Sequence, residues 1–188
     1  MIITIGSECG CGGHEIAEKL AKRFGIELYD RKRLMELAKE LGEYEETRDF
    51  YNETPIDSLL YSIVMNEEPN RIGRVPFEML RGLAEKKPFV ILGRCSDYIL
   101  RDCKGVTSVF IHGEVEDRIR RVMEEKKIDR KKALEYIKQK DRNREVFYKN
   151  YTGGRWQELS NYHLTMNSSL IGIDRTVDVI AQYIENKR

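Results

Sequence analysis

The sequence predicts an α/β domain built on a parallel β-sheet. An apolar, β-branched run at residues 2–5 leads directly into a glycine-dense turn, and that turn opens an amphipathic helix. Further along the chain, short apolar runs alternate with segments whose apolar residues recur at helical spacing. This alternation is typical of parallel strands joined by right-handed helical crossovers.

Length and charge limit the classes of function. The chain has 188 residues, with 33 Lys and Arg against 32 Asp and Glu, so its formal net charge is +1. This size suits one domain, or one domain with a mobile insert. This charge balance does not favour nucleic acid or anionic lipid as a partner. Residues 126–144 are locally basic, which leaves nucleic-acid binding as a distant alternative. No run is long enough for a membrane span or a signal peptide, so we expect a cytoplasmic protein.

The first third of the chain predicts a βαβα unit. Residues 2–5 form a strand that is apolar on both faces, which is typical of the middle of a parallel sheet. Helical spacing follows over residues 16–24 and ends at Gly25. A second short strand is predicted at residues 26–29, and a helix at residues 34–41.

The middle and the last third continue the alternation. Residues 43–55 lack a clear period and predict a loop or a mobile segment over the site. The later predictions are helices at 56–65, 75–84, 114–125 and 174–184, a long helix from Asp129 to beyond Asp141, strands at 89–92, 106–111 and 162–166, and a loop at 151–156. Polar residues follow the strand at 89–92, at the edge where open α/β sheets bind ligands.

The glycine turn has the composition of a phosphate-binding loop. Glycines allow backbone N–H groups to approach a ligand closely, and a helix N-terminus attracts anions. Against the pattern G-x-x-x-x-G-K-[ST], Ser7 stands at the first glycine, Gly12 fits, Gly13 replaces the lysine and His14 follows. The dinucleotide pattern G-x-G-x-x-G fits worse, because Glu15 stands at its third glycine. A tight turn without a ligand is the alternative.

The cysteines do not predict a metal or disulfide framework. Cys9 and Cys11 are separated by one residue, and Cys95 and Cys103 lie far along the chain. This spacing differs from that of zinc sites, and four cysteines are too few for a disulfide scaffold. We therefore expect free thiols and no metal ligands from the protein.

The order of these motifs resembles the cytidylate kinase-like proteins, a branch of the P-loop nucleoside monophosphate (NMP) kinases. The resemblance is carried by the strand and glycine loop, by Tyr29-Asp30-Arg31, by Gly93-Arg94, by the basic segment 137–144 and by residues 162–168. It implies a three-layer P-loop NTPase fold, with a five-stranded parallel sheet flanked by helices. It also implies one domain over residues 1–188, with a core at about 1–42, 88–125 and 160–188, an NMP-binding segment at about 30–87 and a lid at about 126–158.

The same resemblance implies transfer of the γ-phosphoryl group of ATP, with Mg²⁺, to CMP or dCMP. It assigns the residues of the glycine loop to the ATP phosphates, namely Gly10, Cys11, Gly12, Gly13, His14 and Glu15. The nucleotide acceptor is assigned to Asp30, Arg31, Arg94 and Asp97. Catalysis is assigned to Asp141, Arg142 and Arg144; Arg144 contacts the accepting phosphate, and Arg142 could face either phosphate.

Three departures from the family keep an alternative open. Gly13 replaces the loop lysine, Glu15 replaces the Ser or Thr that would hold Mg²⁺, and Ile137 replaces an arginine one turn before Asp141. Glu15 would repel phosphates unless a metal or an arginine intervenes. His14 is either a substitute donor or an exposed residue of the first helical turn. A nucleotide-binding regulatory protein of the same fold, without kinase activity, is therefore the second interpretation.

Overall fold

A computed structural model of the protein describes residues 1–53 and 73–187. Five strands form one sheet: β1 (Ile2–Ser7), β2 (Glu27–Tyr29), β3 (Phe89–Leu92), β4 (Val106–His112) and β5 (Leu164–Asn167). Their spatial order is β2-β3-β1-β4-β5, and all neighbouring pairs are parallel. The prediction that the first strand lies in the middle of a five-stranded parallel sheet is confirmed.

The helices cover both faces of this sheet. They are α1 (Gly13–Phe24), α2 (Arg31–Glu40), α3 (Tyr44–Tyr51), α4 (Arg74–Lys86), α5 (Ser96–Ile99), α6 (Val115–Lys126), α7 (Arg130–Thr152) and α8 (Ser168–Asn186), with a 3-10 turn at Leu159–Asn161. Apolar residues of α1 and α8 pack with Ile3 and Ile5 on one face. Aromatic residues of α3 and α7 pack with Phe89 and Phe110 on the other face. The three-layer α/β architecture is therefore present.

The pleat of β1 explains why one strand serves two cores. Ile3 and Ile5 belong to the cluster with α1 and α8, whereas Ile2 belongs to the opposite cluster. Successive side chains of a strand point to opposite faces, so a strand between two helical layers must be apolar on both. Such a strand brings its carboxyl end, and the turn that follows it, to the centre of the ligand-binding edge.

The expected loop at residues 43–55 is wrong over most of its length, because residues 44–51 form α3. Thr47, Phe50 and Tyr51 are buried at i, i+3 and i+4 spacing. The Thr47 hydroxyl donates to the carbonyl oxygen of Glu43 at 2.6 Å, so a polar residue is accommodated on the buried face. Because threonine is polar, the helical period of this segment is not visible when only its apolar residues are counted.

Other boundaries differ less. The closing helix begins at Ser168 rather than at residue 174, and its early part contains a break at Gly172 with φ 76°. The last strand begins at Leu164 rather than at residue 162. The helix predicted at residues 56–65 lies outside the described residues. In the described part of the chain, no helix combines the length and apolar character needed to cross a bilayer.

Candidate functional site

The turn between β1 and α1 needs glycine at two positions. Gly10 and Gly12 have φ angles of 83° and 80°, in the left-handed region that L side chains avoid. A Cβ atom at Gly10 would lie 2.8 Å from the carbonyl oxygen of Arg118, and one at Gly12 would lie 2.2 Å from Cδ1 of Ile173. The turn is therefore packed against α6 and α8 at these two positions, and neither has room for a side chain.

Gly13 is excluded from carrying a side chain for a different reason. Its backbone begins α1, and its φ is not in the left-handed region. A Cβ atom there would lie 2.3 Å from Oγ and 2.5 Å from Cβ of Ser7. Ser7, which stands at the first glycine of the P-loop pattern, thus fills the space that a lysine at position 13 would need. The side chain that the pattern lacks at position 7 is present here, and the side chain that the pattern has at position 13 is absent.

An ion-pair cluster around the buried Arg118 connects the loop to α6 and α7. Arg118 of α6 donates from Nε to the Cys9 carbonyl oxygen at 2.8 Å and from Nη1 to Glu8 at 2.9 Å. Its Nη2 pairs with Asp141 of α7. Asp141 also accepts a hydrogen bond from the Cys9 backbone N–H at 2.8 Å. Asp141 therefore holds the loop, and Arg118, which the sequence analysis missed, is the centre of the cluster.

The three residues assigned to catalysis are not brought to one place. Arg144 donates to the carbonyl oxygen of Ser7 at 2.7 Å and lines the main cavity. Arg142 is exposed and lines a different cavity together with Asp141 and Lys138. Only Arg144 of the three therefore adds positive charge to the main cavity.

The main cavity has a volume of about 450 Å³ and lies at the carboxyl ends of β1 and β3. It is lined by all four residues that the resemblance assigns to the nucleotide acceptor, which are Asp30, Arg31, Arg94 and Asp97. Arg144, assigned to catalysis, and His14, assigned to the ATP phosphates, also line it. Its volume is in the range of small-molecule sites, which is about 300–1,000 Å³. Residues from distant parts of the sequence thus share one concave surface.

Arg94 is held rigidly in this cavity. Its side chain is 12% exposed, and it donates to the Tyr51 carbonyl oxygen at 2.8 Å and to Glu53 at 2.6 Å. Burial lowers the pKa of Arg94, and the negative charge of Glu53 opposes this effect. Residues Gly93, Arg94 and Cys95 have φ angles of 70°, 60° and 52°. Consecutive left-handed residues of this kind are strained, and such strain is concentrated at functional sites.

Asp97 is a buried carboxyl group in the wall of the cavity, with 7% exposure. It accepts a hydrogen bond from the Tyr148 hydroxyl at 2.7 Å, and that hydroxyl accepts one from Asn161 at 3.3 Å. Burial raises the pKa of Asp97 to about 6, although the Tyr148 hydrogen bond acts in the opposite direction. The group is therefore mostly ionised at neutral pH and can accept hydrogen bonds from a ligand.

The other two residues assigned to the acceptor have local partners. Asp30 caps α2 by accepting from the Arg33 backbone N–H at 2.9 Å. Arg31 donates to the side chain of Asn52 at 3.0 Å. Asn52 and Glu53 also line the cavity but were missed, because they lie in the segment expected to be a loop. Each gives a cavity arginine a polar partner.

A second cavity, of about 270 Å³, adjoins Gly10 and Cys11 of the loop. Arg121 of α6 lines it and pairs with Glu15 at 2.8 Å and with Glu125 at 2.7 Å. An arginine thus neutralises the acid that would otherwise repel phosphates at the start of α1. Nothing in the sequence pattern singled out Arg121 from its basic neighbours.

The loop thiols are not activated. Cys11 is buried and its Sγ lies 2.9 Å from the carbonyl oxygen of Glu8. Burial raises its pKa to about 12, and burial also raises the pKa of Cys9. Within the described ranges, the cysteines are free and no group of three or more His, Cys, Asp or Glu side chains could hold a metal ion.

Known proteins resemble this chain along almost its whole length. A cytidylate kinase from Methanopyrus kandleri is 25% identical over 194 residues, which cover 98% of this chain and 93% of that protein. The crystal structure of an uncharacterized protein from Eubacterium ventriosum superposes with a TM-score of 0.80 at 32% identity, covering 100% of this chain and 99% of that one.

A more distant solved structure shows the fold alone. Shikimate kinase from Bacteroides thetaiotaomicron superposes with a TM-score of 0.55 at 13% identity, with 98% of each chain covered. Together with the five-stranded parallel sheet, this likeness shows an α/β P-loop NTPase fold. The sequence pattern of the cytidylate kinase-like family matches residues 2–170. The chain belongs to the cytidylate kinase-like family.

Proposed function

We propose that this protein transfers a phosphoryl group from ATP to a pyrimidine nucleoside monophosphate, CMP or dCMP. The observation that carries the proposal is the composition of the main cavity. It combines three arginines, Arg31, Arg94 and Arg144, with the buried acceptor Asp97, directly beside the glycine turn. Phosphoryl transfer needs reactants held in line and positive charge around the transferred group, and the arginines of this cavity support the second requirement.

The arginines suit the accepting phosphate. A guanidinium group presents several N–H donors in a plane and matches phosphate oxygens closely. Arg94 is fixed by Tyr51 and Glu53, so little side-chain entropy remains to be lost when a phosphate binds. Arg144 is hydrogen-bonded to Ser7 at the start of the turn, which puts it between the acceptor cavity and the loop. Asp141, one turn earlier on α7, acts by holding that helix on the loop.

Asp97 suits a cytosine base. An ionised carboxylate only accepts hydrogen bonds, and the exocyclic amino group of cytosine donates them, whereas uracil presents a carbonyl oxygen at the same position. The amide introduced by Asp97→Asn has both a donor and an acceptor, so we expect the ratio of kcat/KM for CMP to kcat/KM for UMP to fall. Comparison of kcat/KM for the two nucleotides measures this effect, and an unchanged ratio would contradict the role.

The glycine turn suits a triphosphate, because it carries no side chains at Gly10 and Gly12 and opens α1, whose first backbone N–H groups attract anions. For Mg²⁺ the described side chains offer no cluster of ligands. Magnesium typically keeps several waters and binds through substrate phosphates, so here the phosphates would hold most of it. When bound, it would neutralise the charge that develops between the donor and the acceptor.

The proposed function also implies that the chain contains a segment for the monophosphate and a lid. We infer that residues at about 30–87 hold the monophosphate and that α7 lies in a lid at about 126–158. The acceptor residues Asp30 and Arg31 begin the first of these segments, and Arg144 lies in the second. The hydrogen bonds of Asp141 and Arg144 to the loop would have to break when such a lid opens, which couples closure to assembly of the site.

The test is ADP release, measured by a coupled assay with ATP, Mg²⁺ and each ribo- and deoxyribonucleoside monophosphate. We expect turnover with CMP and dCMP, and loss of about 100-fold or more in kcat/KM for Arg94→Gln and for Arg144→Gln. Arg101→Gln is the matched control, since Arg101 is an exposed arginine paired with Asp102. No turnover with any acceptor, in protein shown to be folded, would contradict the proposal.

One observation favours the second candidate, a nucleotide-binding regulatory protein without kinase activity. Ser7 fills the space of a side chain at position 13, so the usual lysine cannot be accommodated there. Calorimetric titration with ATP and with CMP in the absence of turnover distinguishes the two candidates. Binding of both nucleotides without ADP release would support the regulatory protein.

A further inference from the structure

The glycine turn has no lysine of its own, yet a triphosphate needs a cation beside it. Among residues 1–53 and 73–187, three arginines bond to the turn or its flanks: Arg118, Arg121 and Arg144. They differ in burial, in partners and in the cavity that each one lines. These differences decide which of them is available to the donor phosphates.

Arg118 is 7% exposed, and its guanidinium is already bonded to Glu8, to Asp141 and to the Cys9 carbonyl. Its removal from that cluster would take the cationic partner from Glu8 and Asp141, whose side chains are only 15% and 20% exposed, and this is costly. Arg144 lines the main cavity, where the acceptor is proposed to bind. Arg118 is therefore committed to its cluster and Arg144 to the acceptor, so neither is available to a donor nucleotide.

Arg121 meets the requirements. We propose that Arg121 binds the phosphates of the nucleoside triphosphate and takes the place of the lysine that the loop lacks. Its guanidinium lies next to the turn: Nη1 and Cζ are 3.3 Å and 3.4 Å from the Cβ position of Gly12. It lines the second cavity together with Gly10 and Cys11 of the loop. This inference rests on the proposed function, because it assigns the donor side of the same reaction.

Its acidic partners are replaceable. The side chain of Arg121 is 31% exposed, and those of Glu15 and Glu125 are 40% and 51% exposed. Ion pairs with this much solvent contact are weak, so a phosphate can compete for the guanidinium. In the absence of nucleotide, the ion pair with the Glu15 carboxylate holds Arg121 beside the first turn of α1. This explains why an acid is tolerated in the first turn of a phosphate-binding helix.

The direct test is calorimetric titration of Arg121→Gln with MgATP and, separately, with CMP. We expect ATP binding to weaken by about 10- to 100-fold, because a charge-assisted contact is lost, and CMP binding to change less than about twofold. Arg23→Gln is the matched control, because Arg23 is an arginine that pairs with Asp178 of α8 at 2.7 Å, outside both cavities. It should bind ATP like the unmodified protein.

Two further variants make the result independent of folding defects. Glu15→Gln removes the competing carboxylate and should strengthen ATP binding severalfold. Ser7→Gly with Gly13→Lys opens the space at position 13 and restores the lysine of the pattern, so in the Arg121→Gln background it should recover most of the ATP affinity. Recovery would show that the lost function is the cation itself and not the shape of α6.

The outcomes separate this inference from the proposed function. If Arg121→Gln binds ATP as tightly as the unmodified protein, or if Glu15→Gln weakens binding, Arg121 is not the donor cation, but the kinase proposal stands. If Arg121→Gln fails to fold, the Glu15→Gln result decides in the same way. If the unmodified protein binds no ATP, both proposals are overturned.

Discussion

At the scale of single residues, the most informative pair is Ser7 and Gly13. Each residue departs from the P-loop pattern: Ser7 replaces a glycine, and Gly13, six residues later, replaces a lysine. Taken singly, neither departure has a structural explanation. In the folded chain the Ser7 side chain occupies the place of the side chain that Gly13 lacks. The energetic consequence is a coupling between the two positions, since each one determines what the other can accommodate.

We expect Gly13→Ala to destabilise the protein by about 1–3 kcal/mol, because it forces a methyl group against Ser7 in a packed turn. Without that contact, alanine in a helix would stabilise by about 0.5–1 kcal/mol relative to glycine. Urea unfolding monitored by circular dichroism measures the change. Ser7→Gly with Gly13→Ala should recover the loss, and a single variant as stable as the unmodified protein would contradict the steric explanation.

Asp97 predicts a pH dependence of stability. Its pKa is about 6 in the folded protein, against about 3.9 for an unfolded aspartate, so the folded state binds the proton more tightly. Its contribution is therefore most favourable below about pH 4 and is lost as the pH rises through about 6, a change of about 2–3 kcal/mol. Asp97→Asn removes this pH-dependent contribution to the free energy of unfolding and keeps an acceptor for the Tyr148 hydroxyl.

The measurement compares the free energies of unfolding of the unmodified protein and the Asp97→Asn variant at about pH 5 and about pH 7.5. The amide that replaces the carboxyl group does not titrate, so the advantage of the variant should grow as the pH rises between these values, while the other titrating groups cancel. A constant difference across this range would mean that the pKa of Asp97 is not raised. Because Asp97 is also proposed to bind the base, the more stable variant should be the poorer enzyme.

At the scale of elements, the Glu8–Arg118–Asp141 cluster joins the loop, α6 and α7. We expect Asp141→Ala to destabilise the protein by about 2–4 kcal/mol, because the nearly buried Arg118 loses one of its two acidic partners and the Cys9 N–H loses its acceptor. It should also lower kcat, since α7 carries Arg144. Thermal unfolding and the coupled assay measure the two effects.

The chain offers a matched control for this prediction. Arg130 of α7 pairs with Glu116 of α6, so this pair joins the same two helices, but both side chains are more than half exposed. Exposed pairs contribute little because water screens them. Arg130→Gln should therefore leave the unfolding midpoint and kcat nearly unchanged. Equal losses in the two variants would mean that the cluster has no special role.

At the scale of the whole molecule, the main cavity joins segments that are far apart in sequence. Its walls come from the ends of β1 and β3, from the residues after α3 and from α7. A ligand that binds there stabilises the folded state by RT ln(1 + [L]/Kd), which is about 2.7 kcal/mol at a hundred times Kd. We expect CMP at that concentration to raise the melting temperature by about 5–10 °C, as measured by calorimetry.

The control for this prediction is chemical. Shikimate carries no phosphate or base, and it should give no shift at the same concentration, although the fold resembles that of shikimate kinase. Arg94→Gln should reduce the CMP shift, because it removes a cation from the cavity. A shift with shikimate and none with any nucleotide would point to a different substrate class.

Much of the architecture was predictable because it depends on local pattern. The apolar runs of β1 and β4, the glycine that ends α1 and the Asp129 cap of α7 are signals contained within a few residues. α3 was missed because its buried face includes Thr47, whose hydroxyl is satisfied by the backbone of its own helix. Propensity and period describe a residue by its type, whereas burial depends on what packs against it.

The sequence by itself determined the α/β class, the central place of β1, the glycine turn and several residues of the main cavity, because strand and motif order imply which ends meet at one edge of a parallel sheet. Only the tertiary structure decided that Ser7 excludes a side chain at Gly13, that Asp141 holds the loop while Arg144 faces the cavity, and that Arg121 pairs with Glu15. These are contacts between residues up to 137 positions apart. They depend on distances of a few ångströms, and no spacing along the chain encodes them.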